Sequence, residues 1–166
     1  KFMNIVATKV VDAKVATEWG VVGTANNWGE TPDITMYTYD GNLMFAKGVE
    51  VVAGNEFKIR ANNKWDDAKN YGMEVPQTVN NNMELPLVCG GGAQNMKFLE
   101  SGVFDIYFDL ANRKAYVMTA GKDISEAAKY EEYIAPVEGL TEHEWGVVGS
   151  FNGWNTLANE FKLNAE

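Results

Sequence analysis

The chain has 166 residues, of which 46% are hydrophobic, enough for one core of ordinary domain size and too many for a disordered chain. The formal net charge is −9 and the basic residues form no cluster, which argues against a nucleic-acid partner. The longest apolar runs, such as residues 85–89, are too short to cross a bilayer. One cysteine, Cys89, excludes an internal disulfide, and the single histidine, His143, argues against a metal site, so no cofactor is expected.

A repeat links the two ends of the chain. Residues 18–28 (EWGVVGTANNW) return at 144–154 as EWGVVGSFNGW, with both tryptophans shifted by 126 positions. This spacing indicates a repeated domain rather than a solenoid unit. A shorter match between 55–59 (NEFKI) and 159–163 (NEFKL) is shifted by only 104 positions, so the second copy is either abridged or lacks a loop. Because a partial copy cannot bury its own core, we expect it to contact the first domain or a neighbouring molecule.

Short strands separated by turns dominate the first copy. Alternation along 104–110 places Phe104, Ile106, Phe108 and Leu110 on one inward face. The pattern as a whole predicts an antiparallel, immunoglobulin-like β-sandwich, present as one full copy and the start of a second. The predicted strands cover residues 19–24, 34–39, 42–47, 57–61, 104–110 and 114–118.

One helix is predicted, over 123–133, where Asp123 is a suitable capping residue before a run of good helix formers. Pro136 and Gly139 then indicate a linker. The predicted organisation is therefore a preceding-domain tail or edge strand (1–16), the β-sandwich (17–121), a helical linker (122–142) and a partial second repeat (143–166).

Two tryptophans stand among polar turn residues instead of alternating apolar ones. Trp28 follows a predicted strand, and Trp65 lies in the long stretch 62–92, which shows no clear strand pattern. Loops of that length are usually functional or disordered. Flat aromatic faces stack on the C–H faces of sugars, so both rings are candidates for a sugar platform. The alternative for each is a lid over the core.

Polar side chains that would bind sugar hydroxyls accompany these rings. Lys58 and Arg60 share one side of their strand, opposite its apolar residues, and are predicted to point outward. They would donate to a sugar, or else to Asp66 or Asp67 in a solvated ion pair. Asn95 follows a triple glycine and would either supply an amide to the site or stabilise a turn.

Catalytic signatures are absent from the sequence. His143 lies where the predicted linker meets the second repeat, and no Gly-x-Ser-x-Gly motif is present. Adjacent carboxylates such as Asp66 and Asp67 diverge, whereas a glycosidase needs two carboxyls facing each other across a cleft. The sequence therefore predicts a protein that is not an enzyme.

Five motifs follow one another between residues 17 and about 120: W-G-V-V-G-x-x-x-x-W, N-E-F-K-I-R, W65 with N-Y-G, G-G-G-x-x-N, and G-V-F-D-I. Their order and approximate spacing resemble the starch-binding domains of SusE/SusF-type surface lipoproteins. The resemblance covers some three-fifths of the chain. Proteins of that family contain such domains in tandem, which is similar to the repeat described above.

The resemblance implies non-catalytic binding of starch or malto-oligosaccharide at the outer surface of a bacterium, as part of a polysaccharide-utilisation system. It also implies a lipid anchor in the outer membrane, located outside this sequence, and other starch-utilisation surface proteins as partners. Trp28 and Trp65 match the two aromatic positions of the family, Lys58 the basic position and Asn95 a polar one; Arg60 is added from strand alternation. Two alternatives remain open: an immunoglobulin-like spacer without ligand, and an accessory module of an amylase-type enzyme.

Overall fold

Alternating apolar residues build the strands that surround the core. A computed structural model describes residues 13–130, 146–147 and 161–162. The strands are β1 (Val15–Gly23), β2 (Ile34–Thr38), β3 (Leu43–Val51), β4 (Glu56–Ala61), β5 (Asn70–Gly72), β6 (Gln77–Val79), β7 (Met83–Pro86), β8 (Val88–Cys89), β9 (Met96–Phe98), β10 (Gly102–Asp109), β11 (Lys114–Thr119), β12 (Ala128–Lys129), β13 (Gly146–Val147) and β14 (Phe161–Lys162).

The first twelve strands form one mixed sheet. Its order is β12-β7-β11-β10-β3-β2-β1-β4-β5-β8, and β9 pairs with both β4 and β6. Antiparallel pairing prevails, while β7 with β12 and β6 with β9 are parallel. The all-β prediction is confirmed, and the curled sheet is consistent with a β-sandwich, although the predicted purely antiparallel pairing does not hold at these two strand pairs.

The sheet curls so that distant strands pack face to face. Trp19 on β1 lies with its ring centroid 5.0 Å from that of Phe108 on β10, although β2 and β3 separate these strands in the sheet. Phe104, Ile106 and Phe108 are buried as predicted. Burial of side chains of this size contributes roughly 1.5–3 kcal/mol each. Leu110 is 37% exposed because β10 ends at the preceding residue.

The opposite face of the sheet, which we call the outer face, also carries large side chains. Phe45, Tyr107 and Met118 form a second buried cluster there, separate from the main core. Glu56, Lys58 and Arg60 of β4 point to this face, because Phe57, Ile59 and Ala61 belong to the core. The outer face therefore has buried apolar and charged groups of its own.

Two predicted elements are wrong in the described residues. The stretch 62–92 contains a 3₁₀ turn (Asp67–Lys69) and the strands β5 to β8, which are too short to show alternation in sequence. The helix predicted over 123–133 begins with Asp123 as a cap, but only a 3₁₀ turn (Ile124–Glu126) forms before β12 pairs with β7. Strand pairing overrides helix propensity here. Residues 131–133 lie outside the described residues.

The chain divides into two compact units, Lys1–Tyr130 and Glu131–Glu166. In the second unit β13 pairs with β14 in antiparallel fashion, as β1 and β4, their counterparts in the repeat, do in the first. The extent of the second copy lies outside the described residues. The predicted segment 1–16 contributes its last two residues, Val15 and Ala16, to β1, and residues 1–12 are likewise not described.

Candidate functional site

A sharp turn after β1 holds Trp28. A 3₁₀ turn (Thr24–Asn26) follows the strand, and then Asn27 and Trp28 adopt left-handed backbone angles with φ of 48° and 56°. A bulky residue in this region is strained and persists only when its surroundings impose it. Here the Trp28 N–H donates to Gly23 O at 2.9 Å, and the indole remains half-buried.

The loop between β4 and β5 folds Trp65 back over the outer face. Asn62 and Asn63 open this loop in left-handed conformation, a region in which asparagine is enriched. Asp66 then caps the 3₁₀ turn that leads into β5, accepting a hydrogen bond from Ala68 N. Trp65 is 53% exposed, so it is not a lid buried in the core.

The two tryptophans predicted as a platform lie side by side. Their ring centroids are 6.3 Å apart and their planes are inclined by 32°. The two rings are therefore in contact without being coplanar. The structure therefore brings together residues that are 37 positions apart in sequence.

Arg60 lies beneath Trp65 and not in solvent. Its guanidinium carbon is 4.3 Å from the Trp65 ring centroid, a distance typical of cation–π contact. The same guanidinium donates to Asp33 through Nε (2.7 Å) and Nη2 (2.9 Å), and both side chains are 3% exposed. The predicted outward orientation of Arg60 is wrong in this respect: the side chain is on the outer face but is covered there.

Gly20 allows this ion pair to form across β1. Arg60 pairs with Gly20 in the sheet, and Gly20 pairs with Thr35 on β2, so Arg60 and Asp33 are on opposite sides of β1. A Cβ on Gly20 would lie 2.7 Å from Asp33 Cβ, too close for any real contact. Only glycine leaves the space over β1 in which the two side chains meet.

Asp33 also connects the two tryptophan loops. Its Oδ1 accepts from Asn26 Nδ2 at 3.1 Å, in the turn that precedes Trp28. Its backbone N–H donates to Asn63 Oδ1 at 2.7 Å, in the loop that carries Trp65. Asp33 therefore fixes both loops relative to one another.

Lys58 is likewise covered, contrary to the prediction that it points into solvent. It is 6% exposed and its Nζ donates to Ala93 O at 2.6 Å, while lying 5.8 Å from the Trp65 ring centroid. Burial lowers the pKa of Lys58 below its usual value, and the charge of Asp67 partly offsets this. Neither Asp66 nor Asp67, the alternative acceptors, takes the hydrogen bond that Lys58 or Arg60 donates.

Asn95 lies at the far end of the same row of side chains. Its Nδ2 donates to Glu56 Oε2 at 2.9 Å, and Lys97 contacts the other oxygen of Glu56 at 3.2 Å. The hydrogen bond from Asn95 is the main reason that the pKa of Glu56 is lowered, with Lys97 second. Four of the five predicted site residues thus form one cluster around Trp65, and Asn95 joins its edge through Glu56 and β4.

Sequence reasoning missed Asp33, Gly20 and Asn26. Asp33 follows a proline in a turn-like stretch, where an aspartate is ordinarily a turn residue. The sequence did contain one indication of such a residue. Lys58 and Arg60 place two positive charges on the same side of one strand, and these charges need acceptors if they are buried. Nothing in the sequence showed which of the 23 acidic residues would supply it.

Other functional chemistry is sparse in the described residues. They contain no group of three histidine, cysteine or acidic side chains that would hold a metal ion. Within those residues, no helix has the length and apolar character needed to span a membrane. The Cys89 thiol is half-buried and donates to Asp67 O at 3.3 Å.

No protein-family model matches the chain, and no curated protein matches it. A solved structure titled "Ligand induced structure of AmyP-SBD" is similar to 72% of this chain and 97% of its own, with a TM-score of 0.43 and 15% sequence identity.

Proposed function

We propose that the protein binds carbohydrate without chemical change, and that the Trp28–Trp65 pair is the platform on which the sugar rings stack. The single observation that carries this proposal is the pair of inclined tryptophan rings, half-buried Trp28 and half-exposed Trp65, supported from below by a buried ion pair. Solvent-exposed tryptophan is unusual because burying it is so favourable. A half-exposed ring held in place by Arg60 and Asp33 is therefore best explained by a ligand.

The inclination of the two tryptophan rings favours an α-1,4-glucan as the ligand. Rings inclined by 32° match a chain that curves better than one that runs straight. Starch and malto-oligosaccharides curve in this way, and they are the ligands that the resemblance to SusE/SusF-type domains implies. Asn95 is proposed to contact sugar hydroxyls at the edge of the platform. Lys58 and Arg60, which are covered, are proposed to act from beneath Trp65 by holding its ring in place.

The cellular setting of this proposal comes from the resemblance alone. We propose a surface lipoprotein of the outer membrane, anchored by a lipid outside this sequence, which captures glucan for a polysaccharide-utilisation system together with other starch-utilisation surface proteins. The tryptophan pair argues against a spacer module, because a spacer needs no ligand-binding surface. An accessory module of an amylase-type enzyme, by contrast, would have the same site. The full-length gene, through a lipidation signal or a catalytic domain, distinguishes these two settings.

Migration in a native gel that contains soluble starch tests the proposed binding. We expect the protein to be retarded relative to the same gel without starch, and the Trp65→Ala variant to be retarded less. Because the ligand is neutral, added salt should barely change the affinity. Unchanged migration of the wild-type protein in starch would exclude starch binding and favour the spacer.

A further inference from the structure

A second aromatic surface lies on the outer face, beside the tryptophan pair. Four aromatic residues stand directly opposite one another on neighbouring strands: Tyr37 on β2, Phe45 on β3, Tyr107 on β10 and Tyr116 on β11. Tyr39 extends this row, with its ring 5.1 Å from that of Phe45, and is 54% exposed. Tyr37 and Tyr116 pack against the buried cluster of Phe45, Tyr107 and Met118, whereas Tyr39 remains exposed at the end of β2.

A groove of about 350 Å³ opens at one end of this row, beside Tyr37, Tyr39 and Phe45. Its size is within the range of sites for small ligands. Two lysines border it: Lys14 Nζ lies 4.3 Å from the Tyr37 ring centroid and Lys47 Nζ lies 5.5 Å from that of Phe45. The groove lining otherwise consists of Ile34, Thr35, Tyr37, Tyr39, Phe45 and Ala46 and includes no carboxylate.

The groove lies on the same face of the sheet as the tryptophan platform. Thr35 lines the groove, and it is two residues from Asp33, the partner of Arg60. Arg60, Gly20 and Thr35 are paired across three adjacent strands, so Thr35 and Arg60 are about 10 Å apart on the same face. Tyr37 lies about 7 Å further along β2. One extended ligand can therefore contact both surfaces.

We infer that this groove is an extension site for the glycan that binds the tryptophan pair, with Tyr39 as its exposed stacking residue. The inference rests on the proposed function. Its chemistry is the same as that of the platform: aromatic faces for the C–H face of a sugar, and hydroxyl and ammonium donors for its oxygens. A short oligosaccharide fills the tryptophan platform alone, whereas a longer chain continues into the groove.

Calorimetric titration with maltotriose and with maltoheptaose tests this inference on the full chain. We expect wild-type protein to bind maltoheptaose more tightly than maltotriose. In Tyr39→Ser the affinity for maltoheptaose should fall about three- to tenfold, while that for maltotriose stays unchanged. Leu99→Ser, which removes another half-exposed apolar side chain outside the groove, should bind both sugars like the wild type.

The outcomes separate the groove from the platform. If Tyr39→Ser keeps the full wild-type affinity for maltoheptaose, or loses affinity for both sugars equally, the extension site is overturned. If Trp65→Ala then still weakens binding of both sugars, the proposed function stands without the groove. If wild-type protein binds neither sugar, the proposed function itself fails.

Discussion

Arg60 and Asp33 form a two-point ion pair across β1, with Nε to Oδ2 at 2.7 Å and Nη2 to Oδ1 at 2.9 Å. The two residues are on opposite sides of that strand, and they meet only because Gly20 between them has no side chain. This pair supports Trp65 from below and, through Asn26 and Asn63, holds both tryptophan loops. The geometry of the aromatic surface therefore depends on a buried charge pair.

Removal of the Asp33 charge should destabilise the protein strongly. In Asp33→Asn the Arg60 guanidinium stays buried without its counter-charge, and breaking a buried ion pair in this way costs about 3–5 kcal/mol. Urea unfolding measures the change in the free energy of unfolding. The double variant Asp33→Leu with Arg60→Met should recover most of the loss, because it replaces both charges with apolar groups. A loss below about 0.5 kcal/mol in Asp33→Asn, the range of ordinary surface substitutions, would contradict the buried pair.

Gly20→Ala tests whether Asp33 and Arg60 meet over Gly20. The new Cβ would overlap Asp33 Cβ, so we expect a loss of about 1–3 kcal/mol, as for overpacking in a core. Gly92→Ala is the matched control, since a Cβ there meets nothing within 4 Å. Thermal unfolding of both variants gives the comparison. Equal stability of the two variants would show that Asp33 does not lie over Gly20.

Lys58 should make stability depend on pH. Burial lowers its pKa in the folded state, so the folded protein releases this proton at a lower pH than the unfolded chain does. Between the folded-state pKa and the ordinary value near 10.5, the unfolded state binds more protons, and the contribution of Lys58 to stability rises with pH.

The free energy of unfolding of the wild type, minus that of Lys58→Met, should therefore increase from pH 7 to pH 10. The variant Lys64→Met removes an exposed lysine and controls for the change in net charge. A difference between wild type and Lys58→Met that stays constant, or falls, over this range would mean that Lys58 is solvated, as the sequence alone predicted.

The protein should leave glucan chains intact. The sequence offers no facing carboxylate pair, and the platform is built from aromatic side chains on a buried charge pair. Incubation with soluble starch and measurement of reducing ends should give no release above buffer. Release by purified protein that the Trp65→Ala variant loses would show that the site is catalytic.

The sequence indicated the inner face of the sheet better than the outer one. Alternation predicted the burial of Phe104, Ile106 and Phe108, because period-two patterns report which side of a strand meets the core. The same alternation correctly placed Lys58 and Arg60 on the opposite side of their strand, but we expected that side to face solvent. The loop that carries Trp65 covers it, and such a long-range contact leaves no periodic signal.

Local propensity failed where pairing with distant residues decided the structure. Ala128 and Lys129 are good helix formers, yet they pair with Met83 and Glu84 of β7. Asp33 could not be identified for the same reason, since its partner Arg60 is 27 positions away and the contact needs a glycine on a third strand.

The most direct test of the central claim is calorimetric titration of maltoheptaose into the wild type, Trp28→Ala, Trp65→Ala and the control Leu99→Ser. A stacked aromatic anchor is worth about 1–3 kcal/mol, so each tryptophan variant should lose roughly 5- to 150-fold in affinity. Each should remain folded, with a cooperative thermal unfolding transition near that of the wild type, and Leu99→Ser should bind like the wild type. Wild-type affinity in both folded tryptophan variants would contradict the assignment of the aromatic pair as the carbohydrate site.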